Sequence, residues 1–314
     1  ETIKAELERV QKEKDELKAQ YEEKIKEYET KLAEMIPASK VEEMIKAVPE
    51  GKWYILVESE ETWDSLSPIV KANAEKVVGT LDAVNFEALG ITVMIIGQAQ
   101  EPFSPDEVAA VASWFAERPG RVLWVAADSD YPAQGSETSQ HVVNMLMEAV
   151  GAHLRMDYTS VDDGVSNAGE GYRVLAVVNM SDVPVITYGC TRVLFHGPGP
   201  VAWVDDAGNW HILTKEEEPD NAFILATTTK NGMIVENQGP PGMVAQAYEA
   251  GSTGVFTVMA AEKVPVGDGF GVVIVSGESP YGGYQPIVSW AYYGNILSGP
   301  RFFRNVILWV TGYM

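Results

Sequence analysis

Four side chains stand where a ligand could be held. Asp128, Ser129 and Asp130 follow the β-type run ArgValLeuTrpValAlaAla at 121–127, and Glu278 follows a second such run, PheGlyValValIleValSerGly, at 270–277. If both runs are parallel strands, these residues sit at carboxyl ends, where ligands settle in open α/β sheets. The three carboxylates and one hydroxyl could hold Ca²⁺ or a polar ligand such as a sugar. The plainer reading is that the acidic side chains cap helix N-termini, which also favour negative charge. Cys190 and His196 suggest a nucleophile with its base, but six residues of continuous strand would separate them by about 20 Å. A small buried thiol at a strand end accounts for Cys190 as well. His141, His153, His196 and His211 lack zinc-ligand spacing. GlyProGlyPro at 197–200 and GlyProProGly at 239–242 read as stiff loops, since proline removes the amide donors of a phosphate cradle. Asp162-Asp163-Gly164 reads as a turn. TyrGlyGlyTyr at 281–284, with Trp290, Tyr292 and Tyr293, could stack on a sugar or a partner chain, or fill a core.

The elements that would position these residues alternate. LysTrpTyrIleLeuVal at 52–57 predicts a strand, and ThrTrpAspSerLeuSerProIleVal onward predicts a helix to about Val78. IleThrValMetIleIleGly at 91–97 predicts the next strand. Ser104, Pro105 and Glu107 then supply an N-cap, a first-turn proline and a capping box. A third helix is expected from Ser139 to Val150, stopped by Gly151. From about 153 to 267 the texture changes to short strands and turns, with AspAspAlaGlyAsn at 205–209 as a hairpin turn. Residues 300–310 predict an amphipathic closing helix. The expected fold class is α/β: a parallel sheet with helices on both faces, a β-rich insertion at about 153–267, and an N-terminal coiled-coil helix.

That first helix occupies residues 1–38, ahead of a linker at 39–50 and the globular domain at 51–314. Residues 1–36 contain no Gly or Pro. Ile3, Leu7, Val10, Leu17, Tyr21, Ile25, Tyr28, Leu32 and Met35 form a narrow apolar stripe at heptad spacing, with a four-residue stutter near Tyr21. Such a stripe predicts a homo-oligomer through a coiled-coil stalk, with Pro37 ending the helix.

The formal net charge is −22. The first 50 residues hold ten basic and fourteen acidic side chains, so most of the acidity belongs to the globular part. A surface of that sign argues against nucleic-acid partners. A single cysteine excludes an internal disulfide, and no apolar run is long enough to span a membrane. Acidity, scarce cysteine, eight Trp and thirteen Tyr together suggest an extracellular or cell-surface protein with envelope proteins or glycans as partners. Opening on Glu1 would fit a processed chain or a fragment.

The segments 91–116, 121–130, 272–279 and 301–312 together resemble class I glutamine amidotransferase-like (flavodoxin-like) domains. The similarity is to the non-catalytic branch found in gliding-motility, ABC-transporter-auxiliary and intraflagellar-transport proteins, and it extends over roughly 52–155 and 268–314. The resemblance implies a binding or scaffold module. Catalytic relatives place a Cys on a glycine-flanked elbow with a His and a Glu beyond a later strand. Here the elbow reads AlaAlaAspSerAspTyr without flanking glycines, and SerGlyGluSerPro offers Glu278 but no His. The expected function is therefore a non-enzymatic scaffold in an oligomeric assembly. The rivals are a hydrolase or amidotransferase relative using Ser129 or Cys190, and an envelope lattice or filament subunit.

Overall fold

The computed structural model describes residues 86–87, 90–99, 101–132, 136–178, 181–239, 242–281 and 285–312, the backbone of 53–56 and 74–77, and Lys14. The chain divides into two units, Glu1–Pro49 and Glu50–Met314. The stripe from Ile3 to Met35, and with it the expected coiled coil, lies outside the described residues.

The second unit is built on a seven-stranded sheet. Its strands are β1 (Trp53–Leu56), β2 (Ala74–Val77), β3 (Val93–Ile96), β4 (Val122–Ala126), β11 (Ala222–Thr227), β14 (Thr257–Val266) and β15 (Gly269–Ser276). They lie side by side in the order β11-β14-β15-β4-β3-β1-β2. The runs ValMetIleIle and ValLeuTrpValAla of β3 and β4 are buried throughout, because both faces of the sheet are covered. β15, β4, β3, β1 and β2 pair in parallel, whereas β14 joins β15, and β11 joins β14, antiparallel.

This arrangement corrects the expected fold class. The sheet is mixed rather than parallel, and strands, not helices, dominate the described residues. Only three α-helices are present there: α1 (Pro105–Ala116), α2 (Ser136–Ala149) and α3 (Gly299–Val310). The physical cause is the stretch between α2 and β15. It forms β5 (Leu154–Met156), β6 (Ser160–Asp163), β7 (Arg173–Ala176), β8 (Val193–His196), β9 (Val201–Val204), β10 (Trp210–Ile212), β12 (Gly232–Val235) and β13 (Thr253–Gly254), besides β11 and β14. These strands pair among themselves in small antiparallel sheets, and β6, β7, β8 and β12 pack into the same core cluster as α3. A second correction falls at 74–77. The predicted helix to Val78 cannot pass through β2, where pairing with β1 overrides the helical preference of AlaGluLys.

Alternation along β4 divides the core. Leu123 and Val125 face Val111, Trp114 and Phe115 of α1 and Val142, Val143 and Leu146 of α2. Val122 and Trp124 face the other way, onto Phe302, Phe303 and Val306 of α3 and onto Val174, Phe195 and Ile234 of the β-rich stretch. α1 starts at its reciprocal cap: Ser104 Oγ accepts from Glu107 N at 3.2 Å, and Glu107 Oε2 accepts from Ser104 N at 2.9 Å.

Candidate functional site

The register Ser276↔Ala126 brings the carboxyl ends of β15 and β4 side by side. The next residues of each strand, Asp128–Asp130 and Glu278, therefore meet at one crevice, in the place that parallel neighbours dictate. The insertion closes over it at backbone distance. A Cβ on Gly277 would lie 2.0 Å from Gly199 O, and one on Gly199 would lie 2.6 Å from Asp128 O. Only glycine permits that approach.

The three carboxylates have different tasks. Asp130 is fully buried and accepts from Ser160 Oγ at 2.8 Å, Asn237 N at 2.6 Å, Asn237 Nδ2 at 2.8 Å and Gln238 N at 3.0 Å. Its lone pairs are consumed in anchoring the 235–238 loop. Asp128 accepts from Ser129 N at 2.8 Å and Gln98 Nε2 at 2.9 Å. Glu278 accepts from His196 N at 2.9 Å and Ser279 N at 2.7 Å. Burial raises the pKa of Asp128 well above the ordinary carboxylate value. Burial, and then the charge of Asp128, does the same for Glu278. The two behave as a buried pair that cannot both ionise at low cost. Among the described residues no group of three or more His, Cys, Asp or Glu side chains is placed to hold a metal ion.

Above this floor, whose carboxylates are not themselves among the lining residues, opens a cavity of about 430 Å³ lined by Ser129, Ser160, Asp162, Arg173, His196 and Tyr292 among others. The pairing Arg173↔His196 across β7 and β8 puts both side chains on one face of that hairpin. The His196 ring meets Tyr172 and Tyr292 edge-on, with centroids at 5.4 and 5.7 Å. The Arg173 guanidinium carbon lies 5.1, 5.9 and 4.3 Å from the ring centres of Tyr172, Tyr292 and Tyr293. Burial, reinforced by the charge of Arg173, lowers the His196 pKa, so the imidazole is neutral near pH 7.

Ser129 and His196 thus line one cavity, as an enzyme would require, but no hydrogen bond joins them. Ser129 Oγ instead accepts from Tyr131 N at 3.2 Å. Nor is Ser129 on a strained elbow, since Tyr293 is the only non-glycine residue with positive φ among those described. Cys190 lies apart, beside Ile186 O, Tyr188 O and Asn305 Nδ2, and burial pushes its thiol up to about 11. It is a poor nucleophile at neutral pH.

Asp162, Arg173, Tyr172 and Asn237 were not singled out as site residues by their sequence context. Asp162 was hidden in an apparent turn, yet SerValAspAsp is strand β6, and alternation sends Asp162 and Asp163 to opposite faces. Asp163 is the turn-former, accepting from Val165 N, Ser166 N, Thr229 N and Thr229 Oγ1. The aromatic cluster also splits. Tyr281 is core, its hydroxyl donating to Ile95 O at 2.9 Å, whereas Trp290 and Tyr293 are 71% and 65% exposed.

No family model and no curated protein matches the chain. Among solved structures it is similar to the mmIFT52 N-terminal domain, with a TM-score of 0.51 and 12% identity over 83% of this chain and 97% of that one. Within the resemblance drawn from sequence, this likeness supports the intraflagellar-transport type at the level of fold. It also corrects the expected setting. Acidity and aromatic content suggested an extracellular or cell-surface protein, but the matched fold is that of an intraflagellar-transport component, and composition does not separate the two environments. No helix of the described residues is long and apolar enough to cross a membrane.

Proposed function

We propose that the globular unit is a non-enzymatic binding module that serves as a scaffold component of a multiprotein assembly, with the strand-end cavity as its ligand site and residues 1–38 as a homo-oligomerisation element. The observation that carries this reading is the disconnection of Ser129 from His196 above a floor whose carboxylates are engaged by backbone donors. The likeness to the mmIFT52 N-terminal domain supports it at the level of fold, and the heptad stripe motivates the oligomer. The mass in solution of the full chain, compared with that of a chain lacking residues 1–38, tests the oligomer. A multimer that becomes a monomer is expected, and two monomers would remove the stalk from the proposal.

The second reading, a serine hydrolase, is favoured by one observation: Ser129 and a neutral His196 share the cavity. Ester and amide turnover by the full chain and by Ser129→Ala separates the two. A binding module gives the same background rate for both proteins, whereas turnover that vanishes in the variant would establish an enzyme.

A further inference from the structure

Two opposite charges face the cavity without each other and without a protein counter-ion among the described residues. Asp162 is half-buried, and no hydrogen bond or ion pair from those residues reaches its carboxylate. Burial alone raises its pKa. Its acidic neighbours show what a structural aspartate in this region does: Asp130, Asp157 and Asp163 each accept four hydrogen bonds. Room for Asp162 is kept by Gly171, where a Cβ would stand 2.7 Å from Asp162 Oδ2. On the same cavity wall, Arg173 is held by tyrosine faces rather than by a carboxylate, and its Nε is buried without a hydrogen-bond partner. A half-buried carboxylate without a counter-ion and a guanidinium without a carboxylate partner each cost stability. Both costs are relieved by a ligand that carries an ammonium and a carboxylate together.

The geometry points to a small zwitterion, a free amino acid or dipeptide, as the ligand of this cavity. Its ammonium meets Asp162, its carboxylate lies along the edge of Arg173, and its side chain packs among Tyr172, Tyr292 and Val235. Guanidinium forks suit carboxylates through paired N–H bonds. A zwitterion has no net charge, so the strongly acidic surface does not repel it. A cavity of about 430 Å³ falls within the ordinary range for small-ligand sites. This assignment rests on reading the module as a binding unit and names the ligand class of that same site.

Thermal shift and titration calorimetry on the full chain test it, using the twenty L-amino acids, glycine-containing dipeptides, their N-acetyl and C-amide forms, and neutral monosaccharides. At least one free amino acid or dipeptide is expected to bind, and blocking either terminus should weaken it about tenfold or more. Asp162→Asn and Arg173→Gln should each weaken it to a similar degree, while unliganded Asp162→Asn melts at the same or a higher temperature than the wild type. That last result distinguishes a ligand-facing group from a structural one. Absence of binding by every free zwitterion, equal binding of blocked forms, or unimpaired binding by Asp162→Asn would overturn the assignment. Saturable binding of a monosaccharide instead would overturn the zwitterion but leave the binding module standing, whereas mass-spectrometric detection of probe turnover would overturn the module itself.

Discussion

The backbone N–H of His196 donates to Glu278 Oε2 at 2.9 Å, while the imidazole of the same residue lines the cavity. A carboxylate at the end of β15 therefore fixes the position of a ring on β8, and the floor and wall of the site are one hydrogen-bonded unit. Glu278→Ala leaves the amides of His196 and Ser279 without their acceptor in a buried setting. A loss of about 2–4 kcal/mol in urea unfolding is expected. Stability within about 0.5 kcal/mol of the wild type would show that the link carries no weight.

The floor carboxyls make stability depend on pH in an unusual direction. Asp128 and Glu278 have folded pKa values above their ordinary 3.8 and 4.5, so the folded state holds protons that the unfolded chain has released. Stability from this pair is greatest in acid and falls as pH rises from about 4 toward the raised values. Asp128→Asn removes one carboxyl, and its amide can still accept from Ser129 N and donate to a turned Gln98. The variant should lose less stability than the wild type between about pH 5 and pH 8, by on the order of 1 kcal/mol. Parallel urea midpoints for the two proteins across that range would contradict the pairing.

Cys190 gives a chemical check on its own environment. A thiol with a pKa of about 11, enclosed by Ile186 O, Tyr188 O and Asn305, presents almost no thiolate at about pH 7.5. Iodoacetamide should leave it unmodified in the native protein over the time in which it is fully alkylated in urea, as read by intact mass. Rapid native alkylation would place the thiol in a reactive setting.

Gly277 is a steric prediction. The approach of Gly199 leaves no space for a methyl group, so Gly277→Ala must push the facing backbones away from each other. A cost of more than about 3 kcal/mol is expected from calorimetric or urea unfolding. An alanine tolerated within about 1 kcal/mol would mean that the excursion yields easily at this point.

Local chemistry announced itself in the sequence wherever one short segment sufficed. SerProAspGlu marked the start of α1, and the β-branched runs marked β3, β4 and β15, which placed Asp128, Ser129 and Glu278 at one edge. Long-range pairing was not legible. AlaGluLysVal has helical letters and becomes an edge strand, and the antiparallel β14 makes the sheet mixed. Asp162, Arg173 and His196 come from three strands whose neighbours give no hint that they share a wall. Asp162 was masked further by Asp163, because a turn-forming residue beside it explained the pair. Composition misled on the setting, since an acidic, cysteine-poor surface serves solubility in any compartment.

The contact between Gly199 and Gly277 also fastens the cavity wall to the sheet beneath it. Two main chains meet there without intervening side chains, so the spacing between the β-rich excursion and the strand ends is set by backbone alone. A graft of this excursion onto another scaffold must carry both glycines with it, or the transplanted wall will stand off from its floor.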